Sequence, residues 1–169
     1  MIKVFDNVLS LEQHETIFNL TSSQEFPWFY LDSKVGKSYG SDELNDYQFT
    51  HMFYFDYKPK SNFIGILEPL LEILNPLAII KIKANMTLAS PTIKEFPMHT
   101  DVEGFTGGVT AIYYINSNDG YTVFETGDKI DSVANRLVVF NSTIKHAGST
   151  HTNTKYRSVI NFNLYSQSI

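Results

Sequence analysis

His99 and Asp101 stand one residue apart in the run Phe96-Pro-Met-His-Thr-Asp101. If that run is a strand, both side chains leave from the same face. An imidazole and a carboxylate aimed the same way supply two of the three donors of a two-histidine, one-carboxylate site, which holds a ferrous ion while leaving positions open. By itself the pair is weak, because His-x-Asp also arises by chance in chains of this composition. The third donor should be a histidine farther along. His146 opens His-Ala-Gly-Ser-Thr, whose small residues let a metal or ligand come close. His151 sits beside the polar run His-Thr-Asn-Thr-Lys. Of the two, His146 is favoured. The other histidines read differently: His14 lies on a predicted helix as a surface or half-buried residue, and His51 lies among aromatics as a packing residue or substrate contact.

An octahedral ion held by two histidines and one aspartate keeps three positions, enough for a bidentate oxo acid and dioxygen. The far carboxylate of a dicarboxylic oxo acid needs a cation, and a planar guanidinium suits it best. The chain has two arginines, Arg136 and Arg157. Arg157 heads one face of the last predicted strand, followed by Val159, Asn161 and Asn163. Ser158, Ile160, Phe162 and Leu164 form the other, mostly apolar face. A polar face turned outward needs no explanation, and a surface ion pair is the simpler use of an arginine. Turned inward, the same face is costly unless a ligand satisfies it, and it would then be one wall of a polar pocket.

The elements that must position these groups follow from periodicity. Residues 2–5 alternate as a short strand, with a turn at Asp6-Asn7. Ser10-Leu-Glu-Gln13 is a capping box opening a helix to about residue 22, with Leu11, Ile17, Phe18 and Leu20 as its stripe. Residues 26–31 read as a strand with Pro27 at its start or edge. Residues 32–46 have no periodicity and make a loop long enough to be a lid. Residues 47–57 are an aromatic-rich strand. Residues 61–74 are a second helix, which Pro69 should kink or divide. From residue 77 onward the chain is β. Residues 79–88 put Ile80, Ile82, Ala84 and Met86 on one face and Lys81, Lys83, Asn85 and Thr87 on the other. Further strands follow at 109–116, 121–125, 136–141, 146–150 and 157–165, with turns at Asn118-Asp-Gly120 and Thr126-Gly-Asp128. The pattern predicts a mainly β fold with N-terminal helices, a sandwich or jelly roll with its helices packed on one sheet, of which the jelly roll (a double-stranded β-helix) is the expectation carried forward. One domain over 1–169 is expected, with 1–76 as helical and strand support and 77–169 as the jelly-roll core.

Composition narrows the function. Apolar residues make up 43% of the chain and aromatics 14%, as in a globular protein. With no cysteine, disulfides, iron–sulfur clusters and thiolate zinc sites are excluded. The net charge of −5 argues against nucleic acid as a partner. No run reaches membrane-spanning length and the start lacks an apolar signal region, so no membrane partner and a cytoplasmic location are expected.

Taken together, His99-x-Asp101, His146 and then Arg157 resemble the Fe(II)/2-oxoglutarate-dependent dioxygenases, with the nearest look to the prolyl-4-hydroxylase-like branch and its short phage and bacterial members. Val109-Thr-Ala-Ile-Tyr-Tyr-Ile-Asn116 looks like the strand after the His-x-Asp loop in hypoxia-type prolyl hydroxylases. Asn135-Arg-Leu-Val-Val-Phe-Asn141 and Tyr156-Arg-Ser-Val-Ile-Asn-Phe-Asn163 look typical as well. The likeness covers roughly residues 77–165, and the N-terminal part only in outline.

That resemblance implies iron ligands His99, Asp101 and His146, with Arg157 on the distal carboxylate of 2-oxoglutarate. It further implies that Tyr114 donates to the cosubstrate and that Asn161 and Asn163 occupy pocket positions. Asn85 is a cosubstrate contact by the same comparison, although Thr87 departs from the tyrosine of the related Asn-x-Tyr pattern. The implied reaction consumes O2 and 2-oxoglutarate, releases succinate and CO2, and hydroxylates a peptide side chain, such as prolyl, or a small molecule, with ascorbate as a supporting reductant. The Gly104–Gly108 turn is expected to border the substrate. A cupin would show His-x-His and a glutamate, which residues 99–103 lack. A nucleic-acid dealkylase of the same superfamily would carry a second arginine at position 163, where this chain has Asn. The alternative from another class is a non-catalytic, cupin-like jelly-roll binding protein, which turnover would distinguish.

Overall fold

The computed structural model describes residues 1–32 and 47–166. The loop at 32–46, long enough for a lid, lies beyond Asp32 outside the described residues. The architecture is mainly β, with two antiparallel sheets and two short helices. The large sheet has eight strands. Its path runs β1 (Lys3–Asp6), β9 (Arg136–Asn141), β6 (Val109–Tyr114), β11 (Tyr156–Ser166), β5 (Pro76–Leu88), β3 (Gln48–Phe55) and β2 (Phe29–Leu31), while β4 (Lys58–Pro59) pairs with β3. The small sheet has three strands, β10 (His146–Gly148), β7 (Tyr121–Phe124) and β8 (Lys129–Asp131). Among the described residues no helix is long and apolar enough to cross a membrane.

The period-two pattern of the central strands decides what lies on each side of the large sheet. On one face Ile82, Ala84, Ala111, Tyr113, Leu137, Val139, Ile160, Phe162 and Leu164 pack with Ile17 of α1 (Leu11–Thr21) and Leu70 and Leu74 of α2 (Glu68–Leu74). The opposite face sends Ile112, Tyr114, Val138, Phe140 and Val159 against Phe124 of the small sheet. The helices therefore sit on one face of the large sheet and the small sheet covers part of the other, as the jelly-roll expectation requires.

The N-terminal elements show where local signals succeed and where they slip. Ser10 accepts from the Gln13 backbone while the Gln13 side chain accepts from the Ser10 backbone, so the capping box forms. Leu11, expected on the buried stripe, is the first residue of the helix and is 71% exposed. Pro69 does divide the second helix: a 3-10 turn at Ile64–Leu67 precedes α2, whose first turn holds the proline. The strand expected at 26–31 is limited to its last three residues and forms an edge.

Candidate metal centre

The run expected to be a strand around His99 is mostly irregular, and long-range pairing sets it in place. Phe96 N donates to the Gly148 carbonyl, while His99 and His146 exchange two backbone hydrogen bonds of 3.0 Å each. That antiparallel pairing puts two histidines of distant segments directly opposite one another. The chain then bends at Asp101. Its carboxylate is brought within 3.7 Å of His99 Nε2 and 3.6 Å of His146 Nε2. One donor atom from each of the three side chains lies within 4.8 Å of the others.

The hydrogen bonds around this cluster prepare it for a cation. His99 Nδ1 meets the Pro97 carbonyl at 3.0 Å and His146 Nδ1 meets the Ile144 carbonyl at 3.4 Å. A carbonyl can only accept, so each ring donates from Nδ1 and leaves its Nε2 facing Asp101, the nitrogen that a metal would take. Asp101 is held in turn by the Asn161 amide at 3.1 and 3.3 Å and the Asn163 amide at 3.1 Å, while the Lys81 ammonium donates to its backbone carbonyl at 2.7 Å. Such supporting partners fix the orientation of metal-ligating groups. Burial pushes the Asp101 carboxyl upward, but hydrogen bonding and charge from His146, the Lys81 ammonium and the Asn163 amide outweigh it and hold it well below the ordinary value. Burial, helped by the charge of His146, lowers His99. Two imidazole nitrogens and one ionised carboxylate converging in this way fit a divalent first-row metal such as Fe(II).

The cluster opens onto a cleft between the two sheets. From the large sheet come Lys83, Asn85, Thr87, Ile112, Arg157, Val159 and Asn161; Thr122, His146 and Gly148 come from the small one, and Phe96, His99 and Asp101 from the segment beside it. The polar face of the last strand thus points inward, toward the cleft. Arg157, buried at 6% exposure, donates from Nε to Ser132 Oγ at 2.8 Å and from Nη2 to Thr122 Oγ1 at 3.3 Å. Among the described residues it has no carboxylate partner. Its Nη1 edge faces Gly148, where an added Cβ would stand 3.5 Å away. Burial lowers the guanidinium's pKa, with Tyr114 acting the other way. The group stays charged all the same, and a buried charge without a counterion is costly. Nearby, Asn85 Oδ1, Thr87 Oγ1 and Asn161 Oδ1 are buried without a hydrogen-bond partner.

The residues assigned to the site from sequence fall in or beside this cleft, though not all line it. Asn163 lies beneath Asp101, bonded also to Thr110. Tyr114 is fully buried, donates its hydroxyl to Thr122 Oγ1 at 2.7 Å, and lies under the Arg157 guanidinium, 5.7 Å from ring centroid to Cζ. Burial raises its pKa and Arg157 opposes the rise. The Gly104–Gly108 turn adjoins Asp101 but does not line the cleft; its Phe105 tucks against Tyr165. His151 is buried near Arg157 and outside the cluster. His14 reaches the Tyr113 hydroxyl at 2.7 Å, and His51 is used by Pro27 and Ser61 amid Phe26, Phe53 and Phe63. Sequence reasoning missed Ser132 and Thr122, which no local pattern marks, and Lys83, whose place on the polar face of β5 was legible but whose direction was not. Burial and the Lys81 charge lower the Lys83 amine to about 8, against the pull of Asp101.

No protein-family model matches the chain, and no curated protein matches it in sequence. Solved structures do match it in shape. An oxidoreductase of the 2OG-Fe(II) oxygenase family from Burkholderia pseudomallei superposes with a TM-score of 0.69 at 12% identity, over 96% of this chain and 84% of that one. A prolyl hydroxylase from Trichoplax adhaerens, in complex with a hypoxia inducible factor oxygen degradation domain peptide fragment, gives 0.66 at 13% identity, over 98% and 83%. The epimerase SnoN, in complex with Fe3+, alpha ketoglutarate and nogalamycin RO, gives 0.65 at 12% identity, over 97% and 78%. At these identities the likeness is one of fold.

Proposed function

We propose that this protein is a non-haem Fe(II)- and 2-oxoglutarate-dependent oxygenase. The observation that carries the reading is Arg157, a buried cation without a carboxylate partner among the described residues, facing the same cleft as His99, Asp101 and His146. The fold it shares with iron- and 2-oxoglutarate-dependent enzymes supports the same conclusion.

His99, Asp101 and His146 would hold the iron. Bound there with 2-oxoglutarate and O2, it supplies oxidative decarboxylation to succinate and CO2 coupled to oxidation of a substrate C–H bond. The protein's own contribution is placement. Asn161 and Asn163 keep the Asp101 carboxylate turned toward the imidazoles. Ser132 and Thr122 hold the guanidinium so that Nη1 is left for the distal carboxylate of the oxo acid, and Gly148 leaves room for it to approach. Thr87 and Asn85 offer unpartnered polar atoms along the way. Tyr114 serves the cosubstrate end through Thr122 and the ring beneath Arg157. Phe96, Ile112 and Val159 line the cleft with apolar surface that limits water. The substrate is a peptide side chain, prolyl being one candidate, or a small molecule.

Anaerobic addition of Fe(II) and 2-oxoglutarate should produce a weak visible charge-transfer band that is lost in His99→Ala. A band that never appears, or that survives the substitution, rules the proposal out. Succinate release stimulated by added substrates would then identify the reaction.

A further inference from the structure

We infer that Lys83 selects the primary substrate, and that this substrate presents a carboxylate beside the metal centre. The inference rests on the oxygenase reading and deepens it.

Lys83 lines the cleft, yet among the described residues its ammonium forms no hydrogen bond or ion pair. Its neighbours on the same face of β5 are differently employed. Lys81 is bonded to the Asp101 carbonyl, and Asn85 faces Val159 across the strand pair. In register, Lys83 faces Asn161, which holds the Asp101 carboxylate, whereas Arg157 faces Thr87. The two cations of the cleft therefore stand four residues apart along paired strands, about 13 Å of strand. Arg157 enters the cleft beside Thr87, and Lys83 enters it beside Asn161 and the metal centre.

The two flanks of the cleft differ as well. Arg157 lies under the small sheet, with Thr122 and Ser132 on it. The small sheet's apolar contacts fall on β6, β9 and Val159, and none is on β5 or β3 among the described residues. Lys83 thus reaches in from the flank that the small sheet leaves uncovered among the described residues, away from the Arg157 end of the cleft. Charge points the same way. A divalent metal and a dicarboxylate offset one another, and Asp101 offsets only one of the three cations Lys81, Lys83 and Arg157, so positive charge remains for a further anion. A half-buried ammonium without a counterion favours a monoanionic partner.

Binding tests this directly. Protein loaded anaerobically with Mn(II) and 2-oxoglutarate is titrated with N-acetyl-aspartate amide and N-acetyl-glutamate amide, and with their asparagine and glutamine isosteres. N-acetylalanine is added as the arm with a terminal rather than a side-chain carboxylate. Wild type should bind at least one acid roughly tenfold or more tighter than the neutral compounds. Lys83→Met should abolish that preference while 2-oxoglutarate affinity stays within about threefold, and Lys83→Glu should reverse it toward N-acetyl-lysine amide. Lys83→Gln, with melting curves of all variants, guards against a folding defect. Equal binding of acids and amides, or no binding of any acid, overturns the inference alone. So does a loss of 2-oxoglutarate affinity in Lys83→Met as large as in Arg157→Met, which would put the lysine on the cosubstrate. Wild type that binds no 2-oxoglutarate overturns the oxygenase reading and this inference with it.

Discussion

Arg157 and Asp101 are opposite charges in one cleft that do not pair with each other, and each is supported by neutral hydrogen-bonding groups. That separation leaves the guanidinium for an incoming anion and the carboxylate for a cation. Arg157→Met should weaken 2-oxoglutarate by roughly 30-fold or more, as expected for truncating one side of a buried charge pair. Metal affinity should hold, and equal loss of both in anaerobic titrations would mean that the arginine supports the fold instead. Asn161→Leu acts on the other charge. Removing the amide that spans both Asp101 oxygens should cost about 10- to 100-fold in metal affinity, by analogy with other groups that orient metal ligands. An unchanged Mn(II) titration would show that Asp101 needs no such support.

At the level of elements, two tight places tie the strands to the cleft. Gly120 precedes β7, and a Cβ there would stand 3.0 Å from both Arg157 Cδ and the Thr150 carbonyl and 2.9 Å from Asn118 Oδ1. Gly120→Ala must therefore push the arginine or the backbone, at a cost of about 1–3 kcal/mol. It should reduce 2-oxoglutarate affinity more than metal affinity; a variant with wild-type melting and binding would contradict the close approach. Asn135, at the turn into β9, has a φ of 61° and bonds both the amide and the carbonyl of Leu9, so it fastens the segment between β1 and α1 to the start of β9. Asn135→Ala loses both bonds and keeps the left-handed backbone. Urea denaturation should report a loss of roughly 2–4 kcal/mol, and a loss below the noise of the method would show that Leu9 finds other partners.

For the whole molecule, acid sensitivity follows from its histidines. Burial lowers His14, His51 and His151 from the ordinary value of 6.5. A depressed folded value means that the unfolded chain takes up protons first, so this stabilisation is complete above 6.5 and is lost as the pH falls through the folded values. The melting temperature of metal-free protein should fall as the pH drops from about 7 toward about 5; a rise over that interval would contradict the burial of these rings. Bound ligands should act in the opposite sense. Metal and 2-oxoglutarate at about a hundredfold over their dissociation constants add about 2.7 kcal/mol each, which chelation should remove.

Several features of this protein are determined by its amino-acid sequence alone. The order of donor types, the capping box, the break at Pro69 and the two faces of the strands containing Lys83 and Arg157 are local, because strand and helix periods follow from backbone geometry alone. The tertiary structure decided the rest. The face of β11 with Arg157, Asn161 and Asn163 is equally compatible with solvent until the small sheet closes over it. His99 and His146 meet because their backbones pair across the fold, which no local pattern encodes. Ser132 and Thr122 became the arginine's partners only through the placement of β7 and β8. Lys83 is the plainest case: its face was legible, but only register and burial placed its ammonium, unpaired among the described residues, beside the candidate metal centre. Periodicity names the residues that share a face, and long-range packing chooses what that face sees.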